Sequence, residues 1–133
     1  MMSAEAQGRH PSPLEVHVEP FSISSEPLGD DGLVVAVCGE LDLGTQPALR
    51  ERLGAAIDDG VRRVVIDLRR VTFVDSISVA AIVKAHNRLG DDGRLAVVLS
   101  EDSYAMLIFE VGGMGSVLAL THTLEEAVAR VGA

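Results

Sequence analysis

The chain has no tryptophan, one tyrosine and three phenylalanines in 133 residues. Its core must therefore be aliphatic, and no stretch reads as an aromatic-lined pocket. It has one cysteine, Cys38, so no disulfide can form within the chain, which suits a reducing cytosol. Positive charge is scarce too: eleven Lys and Arg stand against twenty Asp and Glu, a formal net charge of −9. That balance disfavours nucleic acid and anionic membrane surfaces as partners. No apolar run reaches the length of a membrane span, and the N-terminus lacks the basic-then-apolar pattern of a secretory signal. A cytoplasmic location is expected on these grounds.

Motifs that carry chemistry are equally few. His10, His17, His86 and His122 are not spaced as metal ligands, with each other or with a nearby carboxylate or cysteine. Gly112-Gly113-Met114-Gly115 lacks the Lys-Ser/Thr of a phosphate loop and comes after a helical segment, so it reads as a helix end and turn. Cys38 closes the apolar run Leu33–Cys38 and reads as a small buried hydrophobe. Asp42 and Asp75 fall just past strand ends and could approach each other, but nothing completes an acid–base site around them. The sequence names no reaction. No enzyme activity, metal or cofactor is expected.

Aliphatic residues are abundant. Apolar side chains make up 47 % of the chain, enough for one domain with a sizeable core. Residues 1–13 have no periodic apolar face and read as a disordered tail, leaving 14–133 as a single domain. Leu14–Val18 alternates like a strand until Pro20. Phe21–Ser24 alternates again, Gly29-Asp30-Asp31-Gly32 is a turn, and Leu33–Cys38 completes a hairpin. Leu49, Leu53 and Ile57 mark a first helix, with Thr45 as its cap and Pro47 in its first turn.

Val64–Leu68 is apolar on both faces apart from Asp67, as a central parallel strand should be. Arg62-Arg63 and Arg69-Arg70 read as its solvated ends. Val79, Ile82, Val83, His86 and Leu89 form the stripe of a second helix, with a strand after it at Leu95–Leu99. Tyr104, Leu107, Ile108 and Val111 form one face of a third helix, with a short strand after it at Val117–Leu120. Thr123-Leu124-Glu125-Glu126 is a capping box for a last helix, with Leu124, Val128 and Val131 facing inward. This alternation predicts an α/β fold, a mixed sheet of four to five strands with about four helices packed on it.

Two segments carry a more specific signal. The first is Gly39-Glu40-Leu41-Asp42-Leu43-Gly44-Thr45, a strand end leading into a helix. The second is Phe73-Val74-Asp75-Ser76-Ile77-Ser78-Val79, which places Ser76 between a strand and a helix start. A hydroxyl there adjoins unpaired helix N–H groups that would tolerate an added phosphate, although on spacing alone a plain N-cap is the commoner role. In this order, with these elements between them, the segments resemble the STAS domain family of anti-sigma factor antagonists. The likeness covers roughly residues 21–131. That family's second signature is an Asp-Ser-(Ser/Thr)-Gly-Leu loop opening a helix. Asp75 and Ser76 match it, while Ile77 replaces a hydroxyl residue, Ser78 a glycine and Val79 a leucine.

The resemblance implies a STAS-like fold and phosphorylation at Ser76, with Ser78 a second candidate acceptor. It implies a partner-binding face of Asp42, Asp75, Ser76, Ile77, Ser78 and Val79. The implied partner is an anti-sigma factor that is also a serine kinase, with a protein phosphatase to reset the switch. Two other readings stand beside it: a STAS scaffold module that is never phosphorylated, and a module that binds a nucleotide or lipid in an apolar pocket.

Overall fold

The computed structural model describes residues 20–132; the tail at 1–13 and the strand reading at Leu14–Val18 lie outside them. Strands β1 (Ser22–Leu28) and β2 (Gly32–Leu41) form the expected antiparallel hairpin. Helix α1 (Gln46–Asp58), strand β3 (Arg63–Val74), helix α2 (Ser76–Leu89) and strand β4 (Arg94–Val98) come next. Helix α3 (Tyr104–Val111), strand β5 (Ala119–Thr121) and helix α4 (Leu124–Arg130) complete the described chain. The five strands lie in the order β1-β2-β3-β4-β5, with β2 to β5 mutually parallel.

Spatial order thus equals chain order, and this fixes where the helices go. Each parallel crossover steps the same way along the sheet. Right-handed crossovers stepping one way place all their helices on one face. Accordingly α1, α2 and α3 share a single apolar core with Val35, Val64, Ile66, Leu68, Leu95 and Val97 of the sheet. The alternate residues Val65, Ala96 and Val98 point to the other face, where α4 covers them with Ala127 and Val131. The mixed sheet with helices packed on it is as the alternation predicts.

Strand β3 runs six residues past the predicted Leu68. Its register against β2 jumps twice: Ala36 pairs with Asp67 but Cys38 with Arg70, and Gly39 pairs with Val71 but Glu40 with Phe73. Each jump is a bulge that adds a residue to β3 and re-aims the side chains beyond it. Gly39 sits at the second one with φ of 90°, a conformation that favours glycine. The sequence reading of Arg69-Arg70 as a solvated strand end is therefore corrected: both lie within β3. Arg69 straddles Asp67 through two hydrogen bonds of 2.9 and 2.8 Å. Burial pushes the Asp67 carboxyl up, but the hydrogen bonds and charge of Arg69 outweigh it and hold it below its ordinary value. Arg63 is likewise no loose end: it pairs with Asp31 at 2.8 Å and donates to the Leu28 carbonyl.

The predicted face of α3 is also corrected. Ala105 and Phe109 are its buried residues, while Tyr104, Leu107 and Val111 are exposed. In α4, Val131 is buried as expected, but Leu124 lies at the surface and Ala127 takes the inward place.

Candidate functional site

The site forms where β2 and β3 end side by side. Leu41 pairs with Val74, and the Asp75 amide donates to the Leu41 carbonyl at 3.1 Å. The Asp42 and Asp75 loops are thus tied together at one end of the sheet, the approach the sequence placed there.

Asp42 organises its own turn. Its Oδ1 accepts from the Gly44 and Thr45 amides at 3.0 and 3.1 Å, and its amide donates to Thr45 Oγ1 at 2.9 Å. Thr45 Oγ1 donates in turn to the Glu40 carbonyl at 2.6 Å. Thr45 occupies the N-cap position of α1, but its side chain makes no capping hydrogen bond because it is engaged behind the turn. The turn pushes Leu43 outward, where it is 68 % exposed.

Asp75, not Ser76, is the N-cap of α2. Asp75 has extended backbone geometry, and its Oδ1 accepts from the Ser78 amide at 2.8 Å and the Ser78 hydroxyl at 2.7 Å. Ser78 is 0 % exposed. Its role is to lock the loop from beneath, and it presents no surface to a docking partner or a kinase. Val79, also expected on the partner face, is buried at the base of a groove. Ser76 is the first residue of the helix and is exposed; its hydroxyl makes no hydrogen bond with any described residue. Ile77 beside it is 48 % exposed. Of the six predicted site residues, Asp42, Asp75, Ser76 and Ile77 reach the surface together.

Ser76 stands on a ridge between two grooves. On one side, α2 and α3 enclose about 480 Å³ lined by Val79, Ala80, Val83, Ile108, Val111 and Met114. On the other, α1 and α2 enclose about 340 Å³ bordered by Gln46, Arg50 and Lys84. Val111 at the first groove and Leu107 on the same helix are exposed, and Phe73 stacks on Tyr104 with ring centroids 5.6 Å apart. Sequence reasoning missed Leu43, Phe73, Tyr104, Leu107 and Val111 as surface residues. For Tyr104, Leu107 and Val111 the signal was an excess of apolar residues over what one helix face can bury. Among the described residues, no three of His, Cys, Asp and Glu stand together as metal ligands would.

A family model described as the STAS domain matches residues 25–127. The chain belongs to the STAS family. One similar protein is the anti-sigma-F factor antagonist RsfB of Mycobacterium tuberculosis, 29 % identical over 98 residues that span 74 % of this chain and 80 % of RsfB. The crystal structure of an anti-sigma factor antagonist from Mycobacterium paratuberculosis superposes with a TM-score of 0.76 at 28 % identity, covering 84 % of this chain and 94 % of that one. The Bacillus cell fate determinant SpoIIAA in its phosphorylated form superposes at 0.62 with 26 % identity, over 83 % of this STAS chain and 99 % of SpoIIAA. No helix among the described residues of this STAS protein is long and apolar enough to cross a membrane.

Proposed function

We propose that this STAS protein is an anti-sigma factor antagonist switched off by phosphorylation of Ser76. In this reading, the surface formed by Asp42, Asp75, Ser76, Ile77 and the apolar groove beside them docks on an anti-sigma factor that is also a serine kinase. Docking releases a sigma factor. The kinase then transfers phosphate from ATP to the Ser76 hydroxyl, and a phosphatase later removes it.

The observation that carries the reading is the state of Ser76. Its hydroxyl is exposed and unengaged at the first position of a well-capped helix, on a ridge bordered by an apolar groove. Phosphate would add roughly −1.5 to −2 charge there at neutral pH. The N-terminus of α2 offsets part of that charge, so the fold survives. The docking surface changes character: apolar area that has to be dehydrated on binding now carries a doubly charged, strongly hydrated group beside Asp75 and Asp42. The similarity to a phosphorylated SpoIIAA agrees with a modification in this class of protein.

The test is incubation with the cognate anti-sigma kinase and ATP, read by intact mass and peptide mapping. One phosphate on Ser76, absent in Ser76→Ala, is expected. If the protein binds the kinase stably yet gains no phosphate, the switch falls, and the module is a scaffold.

A further inference from the structure

We infer that the opposite end of the sheet carries a binding site for a small phosphate-bearing molecule, independent of Ser76. A cavity of about 330 Å³ opens between the end of α2, the start of β4, the turn at Met114–Ser116 and the end of α4. Arg94 comes to it from β4, Arg130 from α4 and His86 from α2. No carboxylate of a described residue lines it. Leu95, Val117 and Leu118 supply an apolar wall. Asp91 borders only the adjoining hollow of about 390 Å³, which shares His86, Gly93 and Arg94 with it.

What sets this cavity apart is that two arginines unpaired among the described residues converge on it. In a chain of net charge −9, several arginines elsewhere on the domain are answered by an acid or a hydroxyl. Arg63 pairs with Asp31, Arg69 with Asp67 and Arg88 with Asp58, and Arg52 donates to Ser25. The side chains of Arg94 and Arg130 make no hydrogen bond or ion pair with any described residue, although acids outnumber bases nearly two to one; those of Arg50 and Arg62 make none either, but neither lines this cavity. Two guanidinium forks and an imidazole beside one cavity can donate to several oxygens of one dianion, which suits a phosphate group better than a lone carboxylate. The overall negative charge selects for size. A polyanion would lie along acidic surface and be repelled. A small anion feels chiefly the charges within about 8–10 Å at physiological salt.

The backbone beneath the cavity has little freedom to move. A Cβ on Gly93 would lie 2.7 Å from the Arg62 carbonyl and 2.9 Å from Leu89, so β4 enters hard against the end of α2. Arg94 therefore starts from a fixed point.

The experiment is an NMR titration of the ¹⁵N-labelled protein with inorganic pyrophosphate, and in parallel with malonate. Saturable shifts of the Gly93 and Gly115 amides and the Arg94 Nε–H signal are expected, half-complete below about 1 mM pyrophosphate. Binding should weaken about tenfold or more in each of Arg94→Gln and Arg130→Gln, as expected when a charged hydrogen bond is lost. Arg50→Gln, on the far end of the domain, and Ser76→Ala should titrate as wild type. All four positions are exposed, so the variants should fold. Shifts that grow linearly without saturating, wild-type affinity in the two arginine variants, or saturation by malonate alone would each overturn the site.

Discussion

Helices α2 and α4 both begin just after a strand, and both place an oxygen-bearing side chain at the N-cap. They use their polar groups in different ways. At α4 the circuit is closed. Thr123 Oγ1 accepts from the Glu126 amide at 3.0 Å, and Glu126 Oε1 accepts from the Thr123 and His122 amides at 3.1 and 3.0 Å. Glu125 and Glu126 supply acids to its first turn. At α2 the reciprocal partner is a buried serine, the first turn has no acid, and the exposed hydroxyl of Ser76 is left over. The first arrangement stabilises a helix end. The second stabilises it from below and keeps the upper side available for added negative charge. A capped helix start is thus not evidence against a regulatory site; what matters is which residue does the capping.

Exchanging charge at Ser76 should produce the largest change. Ser76→Glu is expected to weaken binding to the anti-sigma kinase by about 100-fold, a few kcal/mol, with almost no loss of thermal stability. Titration calorimetry and thermal melting on the same sample check both halves. A variant that binds as wild type would break the contrast between the two helix starts.

Removing the α2 cap should act on the fold. Asp75→Ala leaves the Ser78 amide and its buried hydroxyl without their acceptor, and should cost about 2–3 kcal/mol in urea unfolding. Thr123→Ala at the exposed α4 cap should cost less, about 1 kcal/mol, because water can replace the lost oxygen. If the two losses were equal, Ser78 would not be the buried anchor the structure makes it.

The smallest effect is one of pH, and it should appear at α4. Hydrogen bonds from the His122 and Thr123 amides hold Glu126 below its ordinary carboxylate range. A lowered acid contributes stability above its unfolded pKa, and this is lost as pH falls through the folded one. His122 is raised by its contact with the Leu99 carbonyl and by Glu101, Glu126 and Glu110. A raised histidine contributes stability below its unfolded pKa, lost as pH rises through the folded one. Amide exchange at Glu126 and Ala127, corrected for its intrinsic pH dependence, should be slowest at mildly acidic pH and faster on either side. Corrected exchange that falls steadily towards low pH would remove Glu126 from that balance.

The sequence carried the strand and helix order, the capping box and the placing of Asp42 and Asp75 at the same end of the sheet. Each rests on local signals: alternation, turn residues and short polar motifs. It did not carry the extension of β3 through Arg69 and Arg70, because two bulges break the alternation that would have marked it. Nor did it carry the face of α3. In Tyr-Ala-Met-Leu-Ile-Phe-Glu-Val almost every position is apolar, so periodicity cannot choose a face. Phe109 and Ala105 won the inner side by packing, and among the losers Val111 lines the groove beside Ser76. At Ser76, spacing alone pointed to a cap, and only the neighbour's geometry showed that Asp75 had taken that role.

The coincidence of sheet order with chain order has a bearing on biosynthesis. Strands leave the ribosome in the order in which they will lie. The β1–β2 hairpin closes through a short turn and can form within microseconds of emerging. Every later described strand then docks on the open edge of a sheet already present, after its crossover helix has been made, and among the described strands none has to be inserted between two others. The nascent chain can therefore fold by accretion at the pace of translation, roughly 5–20 residues per second, with the edge that awaits its next strand exposed for only a few seconds at a time.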